Sequence, residues 1–390
     1  MTTLNKLSGR TRSIWFGVIA LGALLLAAGA YLAPAEFFPA YLIAYVFWLG
    51  ITLGCFIILM IYYLAGGPWG RVLQRILEAA AQTSPLMAVL VVPILLGLPV
   101  LYPWARPATV AADALLQMKS AYLNVPFFLL RTVLYMLIWN ALIRRALQWS
   151  NALDQETTEG SLRRMRTFGA VTLAIFAVTV TFAGIDYLMS LEPHWFSTIY
   201  SAMVAVGGLL TSMSFAVFVL LLLHRRDPLG ALTTPQTLND IGNLLIAFVM
   251  LWAYLNYSQF LSIWAGNLNE EISWYLRRSQ GGWEWVALLA IVANFVIPFS
   301  LLMVRGIKRR MLLLGALGGW MIVARAVDVF WLLKPAFAPA AGVSALDVIA
   351  ILTLGSVWLA LFRYRLGQRP LVARFERSGV AATMPHGQRV

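Results

Sequence analysis

Residues 41–64 read YLIAYVFWLGITLGCFIILMIYYL, twenty-four positions without a charged side chain. Crossing the hydrocarbon of a bilayer takes about 20 helical residues. Only a helix or a closed barrel can do so, because lipid offers no partner for backbone N–H and C=O groups. Nine further apolar stretches surround this one, at Ile14–Leu32, Leu86–Leu101, Val125–Leu147, Phe168–Leu188, Trp195–Leu223, Leu238–Trp264, Trp283–Val304, Leu312–Leu333 and Ser344–Leu366. Each is closed by a turn or a basic cluster. The pattern predicts an all-α polytopic membrane protein with ten transmembrane helices, of which Leu86–Leu101 is the shortest.

The chain carries 29 Lys and Arg against 16 Asp and Glu, a formal net charge of +13. In a soluble protein that excess would suggest nucleic acid, but here the basic residues sort by side. Twenty-two precede the first span, follow the last, or fall in alternate connections, among them Arg71, Arg75, Arg144, Arg145, Arg225, Arg226, Arg305 and Lys308. The other connections hold five, Arg106, Lys119, Arg277, Arg278 and Lys334, while Arg131 and Arg325 lie within helices. The positive-inside rule then places both termini in the cytoplasm. The basic clusters are expected to set orientation and to meet anionic lipid headgroups, with no nucleic acid as partner. The N-terminus has the charged start of a signal peptide, but its apolar run is too long and is expected to remain as the first span.

Cys55 stands alone, so no internal disulfide, CxxC metal site or covalent haem attachment is expected. His194 and His224 fall at opposite helix ends and His386 in the tail, which excludes haem ligation between facing helices. No metal and no covalently bound cofactor is therefore expected. Between the second and third spans, Gly66–Pro85 has the spacing of an amphipathic helix lying on the cytoplasmic surface. Ser150–Arg166 reads as an exposed loop and residues 367–390 as an extended cytoplasmic tail. No stretch of soluble-domain size interrupts the membrane domain.

Ionisable residues within a membrane cost several kcal/mol unless paired or hydrated, so they mark function. Arg131 falls in the fourth span, Asp186 in the fifth, and Arg325 with Asp328 in the ninth, all in the outer half. Glu284 and Asp347 begin the eighth and tenth spans. A hydrated cavity opening outward is the expected explanation. Asp186 and Asp328 are the candidate proton carriers, with Arg131 and Arg325 as their electrostatic partners. Asp240 could form an inner entrance and His194 an outer relay. Thr172, Thr179 and Asp186 recur every seven residues on one stripe, able to hold a file of water. Asn124, Arg131 and Tyr135 share a face, as do Trp252, Asn256 and Gln259. Asn124, Tyr135 and Gln259 are therefore candidate ligand contacts. The plainer readings are that such polar side chains glue helices together, and that Arg325 and Asp328, three apart, neutralise each other.

Several of these segments carry a resemblance. The runs FAGIDYLMSLEPHWFSTIY (182–200), LNDIGNLLIAFVMLWAYLNYSQFLSIWAGNLNEE (238–271) and AYLNVPFFLLRTVLYMLIW (121–139), with Trp274–Tyr275 and Pro298–Phe299, resemble the membrane subunits of alternative complex III. These belong to the NrfD/PsrC-like superfamily of quinone-interacting proteins. The length and short N-terminal extension resemble the ActF type rather than its ActC-type paralogue. The resemblance implies two four-helix bundles, 41–188 and 195–333, flanked by the first and tenth helices. It also implies a multi-pass subunit of a quinol:cytochrome c oxidoreductase in a bacterial inner membrane, contributing to quinol interaction or a proton pathway. The implied partners are a paralogous NrfD-like subunit, iron–sulfur and multihaem cytochrome c subunits, lipids, and a quinol or menaquinol. The ActC-type quinol site includes a histidine on a bundle helix, and spans two to five here have none. A structural anchor for extracytoplasmic redox subunits therefore stands beside a quinol or proton role. A secondary transporter fits less well, because corresponding spans lack paired Gly/Pro breaks.

Overall fold

The computed structural model describes residues 9–156, 158–226 and 229–373. These residues are helical with no strand, and they contain ten spans of membrane length. The spans are Trp15–Leu32, Pro34–Ala65, Pro68–Leu96, Val125–Gln155, Glu159–Leu191, Tyr200–Leu223, Pro235–Gly266, Trp283–Met303, Met311–Ala336 and Ala345–Leu366. The protein is an all-α, polytopic membrane protein.

The second span lies at the centre, buried along most of its length against the sixth and tenth. Gly50 and Gly54 make that close approach possible. A Cβ on Gly54 would sit 2.7 Å from the Gly208 carbonyl oxygen, so only glycine lets the two backbones touch. The sixth span meets the ninth in the same manner, Gly318 facing the Ser214 carbonyl. Spans two to five pack around one another, spans six to nine likewise, and the first span rests on the tenth and the second.

Connections gather at two ends. At one, Arg75 pairs with Asp154, Arg369 with Glu78 (3.2 Å), and Lys308 with Asn243 (2.7 Å). At the other, His194 meets Asp113 (2.7 Å), Lys119 donates to the Pro193 carbonyl (2.6 Å), and Arg278 bonds Glu192 (2.9 Å). The two sets of loops that differ in arginine content are thus also separate in space, as an arginine-rich and an arginine-poor end.

Four local readings need correction. The third span is not a continuous helix over Leu86–Leu101: Pro85, Pro93 and Pro99 each open a short helix, at Ser84–Leu90, Val92–Leu96 and Leu98–Leu101. The Leu90 carbonyl loses Ile94 N to Val91 and is capped instead by the Tyr41 hydroxyl (2.9 Å). The amphipathic helix, Pro68–Ala81, does not lie on the surface but is buried against the second, sixth and tenth spans. Its polar face is covered because Glu78 accepts hydrogen bonds from Ser150 (2.6 Å), Gln74 (2.8 Å) and Tyr63 (3.2 Å), besides its ion pairs with Arg75 and Arg369. Ser150–Arg166 is not a loop. The fourth span continues to Gln155 and the fifth restarts at Glu159, behind a capping box of Thr158 and Ser161. Finally, the tail is docked at its start, with Leu371, Val372 and Ala373 buried. Its remainder, 374–390 with His386, lies outside the described residues.

Candidate functional site

In the fourth span Asn124 is the N-cap, its side-chain oxygen accepting from Phe127 N (2.9 Å), so it begins the helix rather than facing a ligand. Two turns on, Arg131 reaches Asp186 near the end of the fifth span. Nε donates to Oδ2 at 2.8 Å and Nη2 to Oδ1 at 2.9 Å, while the Tyr135 hydroxyl adds a 2.6 Å bond to Oδ2. The guanidinium also packs against the rings of Tyr122 and Phe127, 3.9 and 4.2 Å from their centroids. Asp186 is 1% exposed, and both its oxygens are engaged by protein donors. A fork of this kind is a charge-assisted, bidentate pairing, roughly twice as strong per bond as a neutral hydrogen bond. The threonine stripe beneath it is interrupted: Thr179 accepts from the Trp139 indole (2.9 Å) and turns its own proton to the helix backbone. Thr172 Oγ1 is buried with no partner.

The ninth span builds a different arrangement from the same residue types. Arg325 Nη1 donates to Asp328 Oδ2 at 2.5 Å, within one helical turn. Arg325 Nε makes a long bond to Thr211 (3.4 Å), and the guanidinium occupies the space that a Cβ on Gly207 would fill. Asp328, unlike Asp186, lines a cavity of about 750 Å³. That cavity forms where the seventh and eighth spans separate. They touch through Val292–Val296 and Ile297–Met303, and toward the arginine-poor end they diverge. The eighth span changes course there through a π-helical turn at Val292–Val296 followed by Pro298. Asn294 holds the turn, donating to the Ala290 (2.9 Å) and Ala324 (3.0 Å) carbonyls.

Trp252 and Asn256 line the cavity, whereas Gln259 faces away and accepts from Ser197 (2.5 Å). Glu284 lines it at the start of the eighth span, and Trp331, whose indole N–H is buried without a partner, completes the wall. His194 and Asp240 are apart from both pairs. His194 is exposed and bonded to Asp113, and Asp240 accepts from Gln236 (3.0 Å) at the arginine-rich end. Although partial desolvation raises the Asp113 pKa, the His194 bond and the backbone N–H groups of Leu116 and Leu115 outweigh it and hold the carboxyl below its ordinary range. Sequence reasoning missed Tyr122, Trp331 and the buried Arg278–Glu192 pair. Only Arg278 left a signal, as a second arginine closing an amphipathic segment. Among the described residues, no three His, Cys, Asp or Glu side chains gather where they could share a metal ion.

Comparison with protein-family models and with curated proteins finds no match to this chain.

Proposed function

We propose that the chain is a membrane subunit of a quinol-oxidising electron-transfer complex in a bacterial inner membrane, with the arginine-rich end cytoplasmic, and that its Arg325–Asp328 pair handles protons. Oxidising a quinol releases two electrons and two protons. The electrons leave to iron–sulfur or haem carriers in partner subunits, and the protons need an acceptor at the membrane depth of the ring. The observation that carries the reading is Asp328: a carboxylate within the membrane-spanning region that lines a cavity, bonded to the Arg325 guanidinium on its own helix and to the Trp252 side chain across from it. Arg325 supplies a fixed positive charge beside the carboxyl, and the cavity gives an arriving proton a route to it.

A second reading, a structural anchor for redox subunits, is favoured in the first bundle by the closed Arg131–Asp186 fork. Isosteric substitution separates the two. In the assembled complex reconstituted in vesicles, Asp328→Asn should slow quinol oxidation or its coupled proton release about 100-fold, the scale of a lost general base. Asp186→Asn tests the same role in the first bundle. Full turnover and full proton release in both variants would leave only the anchor.

A further inference from the structure

We propose that the cleft between the seventh and eighth spans is itself a quinol site, loaded sideways from the bilayer. This rests on the reading of the chain as a subunit of a quinol-oxidising complex, and it places the substrate in the second bundle of this chain. Four features of the cleft select the ligand. Its volume, about 750 Å³, suits a substituted ring with the first part of a tail. Its walls carry Trp252, Tyr257, Phe260 and Trp331, flat faces against which a planar ring packs. Its polar groups include two carboxylates, Asp328 and Glu284, which accept hydrogen bonds from hydroxyl groups and repel an anionic headgroup. The cation in the wall, Arg278, is already held by Glu192 (2.9 Å), the Leu332 carbonyl (2.8 Å) and the Trp274 carbonyl (3.0 Å), and so offers little to a phosphate.

Together these describe an uncharged, dihydroxylated aromatic head on an apolar tail. An acyl phospholipid fits the volume but not the charge. The side of the cleft is also open to such a molecule: Tyr254, Tyr257, Leu288 and Ile291 on the two diverging spans are each half or more exposed on the apolar surface. The Trp331 indole lines the cleft, while its N–H is buried without a partner. In the first bundle, by contrast, Asp186 has both oxygens occupied.

The test uses the full chain in phosphatidylcholine nanodiscs and a fluorescent alkyl-hydroxyquinoline N-oxide as the quinol analogue. Fluorescence quenching should report saturable binding. Ala287→Trp, which fills the cleft from the eighth span without touching the ion pair, should weaken binding about tenfold or more, with the folded fraction checked by gel filtration. A second measurement needs no variant: an azido-naphthoquinone should photolabel peptides spanning 250–260 and 284–295 of the wild-type chain. Labelling confined to the first bundle, unchanged affinity in the folded Ala287→Trp protein, or a tightly retained phospholipid that the probe fails to displace would each overturn the site. If the complex still oxidises quinol while the cleft stays unlabelled, only this placement fails. If the complex oxidises no quinol, the functional reading beneath it fails as well.

Discussion

Two buried Arg–Asp pairs of identical composition are held in different ways, and the difference can be measured. Arg131 and Asp186 come from separate spans, so removing one partner strands a charge in a low-dielectric interior. Arg131→Met should therefore destabilise the protein by about 3–5 kcal/mol, and the double variant Arg131→Met with Asp186→Leu should recover most of that loss. Thermal unfolding in detergent checks both; equal loss in single and double variants would show that the fork is not the source. At the arginine-poor surface, Asp113 should contribute in a pH-dependent way. Its carboxyl has a lower pKa folded than unfolded, so its contribution is complete above the ordinary carboxylate range, about 4, and declines as pH falls through the lowered folded value. The difference in unfolding temperature between wild type and Asp113→Asn should shrink as pH falls below about 4.

At the scale of elements, length and hydrophobicity were enough to place nine of the ten spans near their observed positions, because the requirement for internal hydrogen bonding in lipid leaves the chain little choice. The failures share a cause: each depended on partners remote in sequence. Pro68–Ala81 reads as a surface helix by its own pattern, since nothing local announces that Ser150, Asp154 and Arg369 will cover its charges. The divergence of the seventh and eighth spans was equally hidden, because a π-helical turn changes register without changing hydrophobicity. Helix contacts offer a sharper test than helix positions. Valine at Gly54 would press on the backbone of Gly208, which cannot rotate away as a side chain can. Gly54→Val should cost about 1–3 kcal/mol or block folding outright, whereas the same change at Gly17, where nothing lies within 4 Å, should be nearly silent in thermal unfolding.

Across the whole molecule, the separation of the two loop sets makes topology directly accessible. Cys55 is fully buried, so an added cysteine can be labelled against a quiet background. Cysteine at Ala108 should react with an impermeant thiol reagent from outside intact cells, and cysteine at Glu156 only after permeabilisation; the reverse pattern would invert the proposed orientation. The candidate site was legible in part. Residue type and depth pointed to Arg131, Asp186, Arg325 and Asp328, but only the assembled fold distinguishes an occupied carboxylate from one beside open space. The buried network at the arginine-rich end carries a further consequence, for biogenesis. Glu78 is paired with Arg369, which follows it by 291 residues. Insertion proceeds from the N-terminus during synthesis, so the first bundle holds an incompletely neutralised acid until the last span has left the ribosome. Two distant parts of the chain therefore complete one charge cluster: Arg75 is shared between Glu78 and Asp154, and loss of Arg369 leaves that cluster with one positive charge fewer.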